Sequence, residues 1–237
     1  STMTAGENAH SDEIADLTAI ARAVAIDPSL VVVQAAPGQA TSIDTREKVI
    51  WIDLQADWPK EIGRALAIHE AGHLVVSHYP LFVAADPRLQ GLESDEEQAL
   101  AYLLNCLEDI RMERWLSRRL PGCGPWLEAT NRLFSEQSEG RPLGLFMTYL
   151  ASLLVRHSPG CAIAGLDSHV AGTIEATETA VLAYLACQPP TIAAAYPEAR
   201  ALYAASPAAR CFVGDPTDVD GFAATCRLSA WGAFEIA

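Results

Sequence analysis

Basic residues are scarce in this 237-residue chain. Sixteen lysines and arginines stand against 30 aspartates and glutamates, a formal net charge of −14. A surface of that sign repels DNA, RNA and acidic lipid headgroups, so the charge balance argues against nucleic-acid and membrane partners. Long apolar runs are missing as well. No stretch reaches the roughly 18 apolar residues that a spanning helix needs, and Ser1 to Glu13 carry neither the basic start nor the apolar stretch of a secretory signal. The expectation is a cytoplasmic protein. Closely spaced cysteine pairs are absent too: Cys106, Cys123, Cys161, Cys187, Cys211 and Cys226 form no CxxC or CxxxC, which excludes a cysteine-built zinc ribbon. Free buried thiols are expected rather than disulfides. Charged residues make up only 19% against 50% hydrophobic ones, which rules out a disordered chain and leaves enough apolar mass for one packed domain.

The rest of the pattern is helical. An amphipathic helix is predicted over 12–25, ending before Asp27-Pro28. The β-branched runs 30–34 and 49–54, separated by Pro37-Gly38, read as strands of one small sheet. Trp58-Pro59 predicts a helix start capped by Asp57 and running to about Tyr79. Ser94-Asp95-Glu96-Glu97 has the form of a capping box opening a long helix to about Leu120. Further helices are predicted at 125–137, 143–157, 167–187, 197–209 and 217–232. The fold class expected is α+β and mostly helical, with a small early sheet packed on the helix that carries the motif described next. Residues 1–12 read as a disordered tail with Ser1-Thr2 as a tag remnant. Residues 13–237 read as one domain, with sheet and motif helices over 13–121 and a helical subdomain over 122–237.

His69-Glu70-Ala71-Gly72-His73 is an HExxH motif. Residues four apart share a helix face, so two imidazoles can aim at one point, as a tetrahedral Zn²⁺ requires. Glu70, turned about 100° from His69, is placed to serve as general base toward a metal-activated water. With six His and 17 Glu in the chain, chance alone would produce this pattern with a probability of roughly 0.01. One zinc ion per chain is the expected cofactor.

A third ligand is needed. The metzincin extension would require Gly at position 76 and His at position 79, but Val76 and Tyr79 stand there, and His78 lies about 140° around the helix from His73. The second source is an acid on the helix near 105–113. Leu100, Leu104, Leu107 and Trp115 form an apolar stripe, and Glu108 falls within it. A carboxylate in an inward-facing seam must be paired or bind a cation. Glu108 is therefore the first choice for third ligand, Asp109 the second and Glu113 the third; the alternative is that Glu108 and Asp109 form salt bridges with Arg111 and Arg114. Asn105, Asp109 and Glu113 make an adjacent i, i+4, i+8 stripe suited to hydrogen-bond the histidines, with Arg111 bracing the acids.

HExxH with a glutamate ligand on a later helix is the gluzincin arrangement of zinc metallopeptidases. The fuller pattern, HEAGH followed some 30 residues on by NxLEDxRxE, resembles the metallopeptidase-like region of cobaltochelatase T-subunit-like proteins, over about residues 45–120. The resemblance implies a zincin-like fold and a hydrolase acting on protein or peptide substrates. In those proteins the region commonly precedes a von Willebrand factor A domain, whose DxSxS motif this sequence does not contain, so a partner protein or a further C-terminal domain is an open expectation. The competing reading is a metal-binding zincin-fold adaptor without catalysis. Under the peptidase reading a substrate strand could pair with 49–54 if that strand is the sheet edge. His157, His169, Tyr149 and Arg111 are candidate oxyanion donors.

Overall fold

The computed structural model describes residues 5–77, 95–138, 145–162 and 170–186. Helix α1 (Ala5–Ala25) leads into a sheet of β1 (Val31–Gln34), β2 (Ser42–Asp44) and β3 (Val49–Ile52). There follow α2 (Lys60–Gly72), a π-helical turn (His73–Ser77), α3 (Asp95–Arg119), a 3-10 turn (Pro121–Cys123), α4 (Gly124–Ser138), α5 (Leu145–His157) and α6 (Ala171–Ala186). The fold is mostly helical with one small sheet, the α+β class expected. None of the described helices is long and apolar enough to cross a membrane. The helices expected over 197–209 and 217–232, together with Ser94, His78 and His169, lie outside the described residues.

Several boundaries differ from expectation. Helix α1 begins at Ala5, so residues 5–12 are helical and not a tail. Its end agrees: Ile26 takes a left-handed φ of 54°, and the Asp27 amide closes back on the Arg22 carbonyl (3.2 Å). Strand β3 is not the sheet edge. It lies in the middle of the order β1-β3-β2, parallel to β1 and antiparallel to β2. Three-residue β2 is too short to leave an alternation signal. Asp57 does not cap α2; Pro59 stands at the N-cap without a side-chain bond, and its carbonyl takes the Ile62 amide (3.0 Å). The α-helix also stops at Gly72 rather than near Tyr79. It widens there into the π turn, where Arg111 Nη2 of α3 reaches the Val76 carbonyl (3.2 Å).

Helix α2 is the central member of the fold. Ten of its 13 residues are buried, so it is wrapped on nearly every side and not laid on a surface. Leu66, Ala67 and Ala71 pack with Leu17 and Ala21 of α1, Ile50 and Ile52 of β3, and Phe134 of α4. Ala65 and Ile68 face the other way, toward Met112, Leu116 and Leu127. The second face holds α2 against α3 and sets the distance between the HExxH motif and the acids opposite.

Gly72 permits that closeness. A Cβ there would stand 2.5 Å from Met112 Sδ and 2.8 Å from Leu116 Cδ1, two side chains with no room to retreat because both are fully buried. Gly72→Ala is expected to destabilise the protein by about 1–3 kcal/mol through overpacking, measured by urea denaturation, and to weaken metal uptake by pushing α3 away from the histidines. Wild-type stability in the variant would contradict this account of the glycine.

Candidate metal centre

His69 and His73 leave α2 on its α3 side. Both are buried, with Glu70, Asp109 and Glu113. Each ring is fixed through its Nδ1. His69 Nδ1 lies 2.9 Å from Glu113 Oε1, a carboxylate that can only accept, so Nδ1 carries the proton. Glu113 is steadied in turn by Asn131 Nδ2 of α4, 3.2 Å from Oε2. His73 Nδ1 donates to Ser77 Oγ (3.1 Å), whose hydroxyl donates to Glu108 Oε1 (2.7 Å). This assignment turns the Nε2 lone pair of each ring toward the same point.

The two Nε2 atoms are 3.2 Å apart. Asp109 Oδ1 completes the triangle, 3.6 Å from His69 Nε2 and 3.3 Å from His73 Nε2. Asn105 Nδ2 occupies the other carboxylate oxygen (3.3 Å), while Oδ1 is buried with no hydrogen-bond partner among the described residues. Donor atoms arranged tetrahedrally about an ion roughly 2.1 Å away stand roughly 3.4 Å from one another, which is the spacing found. His69, His73 and Asp109 therefore form a group that could hold a metal ion. An orphaned carboxylate oxygen facing two lone pairs in a buried pocket is an arrangement that needs a cation.

Glu108, the first choice from the sequence, is not in this group. It is fully buried, but it faces the other side of α3. Arg111 Nε donates to its Oε2 (2.7 Å), Arg111 Nη2 pairs with Oε1, and Tyr184 of α6 donates to Oε2 (2.9 Å). The requirement that a buried acid be paired is met by an arginine one turn along its own helix. Asp109 takes the place facing α2 because it lies on the stripe with Asn105 and Glu113, about 100° around the helix from Glu108. Of that stripe, Glu113 hydrogen-bonds His69, while Asn105 hydrogen-bonds Asp109 and not a histidine.

Among the candidate oxyanion donors, Tyr149 bonds Thr177 between α5 and α6 (2.9 Å), and burial pushes its hydroxyl up to about 12. His157 closes α5 beside Arg114 and Glu178, and Arg111 is spent on Glu108. None of these three is directed at the triangle. Ser77 and Tyr184 were not anticipated: Ser77 sits four residues past His73 in a turn expected to be ordinary α-helix, and Tyr184 is 76 residues from Glu108 in sequence. Cys106, Cys123 and Cys161 are buried, as expected, and Cys123 and Cys161 are free thiols.

The electrostatics follow from this crowding. Burial works against a charged His69, but the Glu113 hydrogen bond and the negative charges of Asp109, Glu113 and Glu70 outweigh it and push its pKa up to about 9. Burial raises the Glu70 carboxyl above the ordinary carboxylate range, against the attraction of His69 and His73. A histidine whose folded pKa exceeds its unfolded value contributes stability that is complete below about 6.5 and is lost as pH rises through about 9. Metal-free protein is therefore expected to lose stability between those pH values, followed by denaturant midpoints. Metal uptake should run the opposite way, tightening over the same interval as the competing proton leaves. A flat stability profile would refute the raised His69 pKa.

The ligand assignment separates two variants. Asp109→Ala should abolish stoichiometric metal uptake. Glu108→Gln should retain it while costing about 3 kcal/mol, because Arg111 is left buried without its counter-charge. Metal content by elemental analysis and unfolding by circular dichroism read both. Loss of metal only in the Glu108 variant would restore that residue as the ligand. No known family model, curated protein or solved structure matches this chain.

Proposed function

We propose that the chain is a zinc-dependent hydrolase of the zincin type, a metallopeptidase in which His69, His73 and Asp109 hold the ion and Glu70 is the general base. One observation carries the reading: three buried donor atoms from an HExxH helix and a facing helix stand at tetrahedral spacing, and one of them has no other partner. The packing of α2 between the sheet and α3 supports a zincin-like arrangement. Two imidazoles and a carboxylate suit zinc, and three protein ligands among the described residues suit catalysis more than a purely structural role.

A bound zinc ion would supply Lewis acidity and bring a water's pKa toward neutrality. The chain's own residues supply the remainder. Glu70 follows His69 directly, and its burial raises its proton affinity, the direction that favours taking a proton from water and passing it to a leaving amine. Glu113 and Ser77 hold the rings from behind, so neither imidazole is free to rotate. Asp109 brings a negative charge that partly offsets the cation. An extended peptide cannot pair with β3, whose two sides are both occupied; the outer strands of the sheet are β1 and β2.

The experiment is zinc analysis and cleavage of an unbiased peptide library by wild type and Glu70→Gln. Both proteins should carry one zinc per chain, and the variant should cleave about 10²–10⁴-fold more slowly, the usual worth of a positioned base. Stoichiometric zinc with no cleavage by either protein would replace the peptidase with a non-catalytic metal-binding module. Failure of wild type to bind zinc would remove both readings.

A further inference from the structure

A cavity of about 190 Å³ lies where the C-terminal half of α3 meets α4 and the end of α5. For scale, a cavity of about 150 Å³ accepts benzene. Ile110, Leu127 and Pro159 give it apolar walls, and Glu113, Glu128, Arg114 and Arg118 bring charge to its lining. The two acids are committed. Glu113 spends its oxygens on His69 and Asn131, and Glu128 is paired with Arg132 (3.1 Å).

The two arginines are not balanced in the same way. Arg114 Nε donates to the His157 carbonyl (3.1 Å) and Nη2 faces His157 Nδ1 (3.4 Å); neither acceptor is an anion. Glu178, the nearest acid to that pair, is engaged by Arg156 and His157. Arg118, one turn further along α3, has no hydrogen-bond or ion-pair partner among the described residues. Burial and then the Arg118 charge lower the Arg114 pKa, with Glu178 opposing them. Two guanidiniums one helical turn apart, neither ion-paired with a carboxylate among the described residues, thus border an apolar recess.

We propose that this cavity is a binding site for a small organic carboxylate, its oxygens taken by Arg114 and Arg118 and its carbon body by Ile110, Leu127 and Pro159. The fork of an arginine matches a carboxylate in shape as well as charge. The apolar walls favour an anion with a hydrocarbon portion over inorganic phosphate, which they cannot solvate. The proposal is independent of the metal reading, because no donor of the metal triangle lines the cavity.

The test is a titration of the full chain, dialysed free of metal, with butyrate and separately with inorganic phosphate at matched ionic strength, followed by NMR. Butyrate should give saturable shifts confined to the C-terminal half of α3 and the facing part of α4. Arg118→Gln should weaken binding roughly tenfold, the scale of one charge-assisted contact. Arg118 is exposed near the end of α3, so the variant should keep the wild-type fold, checked by its spectrum before titration. Arg114→Lys should weaken binding while keeping the charge. The proposal is overturned by shifts that do not saturate in wild type, by equal butyrate affinity in Arg118→Gln, or by phosphate binding more tightly than butyrate.

Discussion

Three lone-pair-bearing atoms cannot share a dry pocket without positive charge among them, and the centre of this protein is built around that constraint. The acids Glu70, Asp109 and Glu113 surround two imidazoles. Among the described residues, the one buried arginine nearby, Arg111, is already matched by Glu108. In the absence of a metal ion the balance falls to a proton, which explains why His69 holds one so far above its usual range. A metal ion held by this group would compete with that proton for one position.

The Glu108–Arg111 pair, although outside the triangle, connects it to the rest of the fold. It gathers Ser77 and the Val76 carbonyl from the π turn, Tyr184 from α6, and through Ser77 the ring of His73. A buried ion pair is rarely worth much as stability, since desolvation cancels most of its attraction. Its value here is positional: it locks the turn that follows the second histidine and ties that turn to a helix more than 100 residues away in the chain.

Much of this could be read from the residues. HExxH with apolar neighbours placed two imidazoles on one face, and the i, i+4, i+8 spacing of Asn105, Asp109 and Glu113 marked the opposing stripe. Glu108, the first choice for third ligand, lies off the triangle although Glu108 and Asp109 are adjacent, both buried, and separated only by rotation about α3. Burial of a carboxylate signals that a partner exists without naming it, and Arg111 at i+3 was the simpler partner. The π turn left no mark in the pattern, so Ser77 was not seen as the support of His73. Tyr184 could be assigned only once α6 had been packed against α3. Strand β2 is too short to alternate, and without it β3 was read as a candidate edge.

The two imidazoles are held by unlike supports. His69 leans on a carboxylate directly, whereas His73 leans on a hydroxyl whose own carboxylate is already neutralised by a guanidinium. The first ring therefore keeps its place through one contact on the facing helix, and the second through a relay that runs across the π turn, α3 and α6.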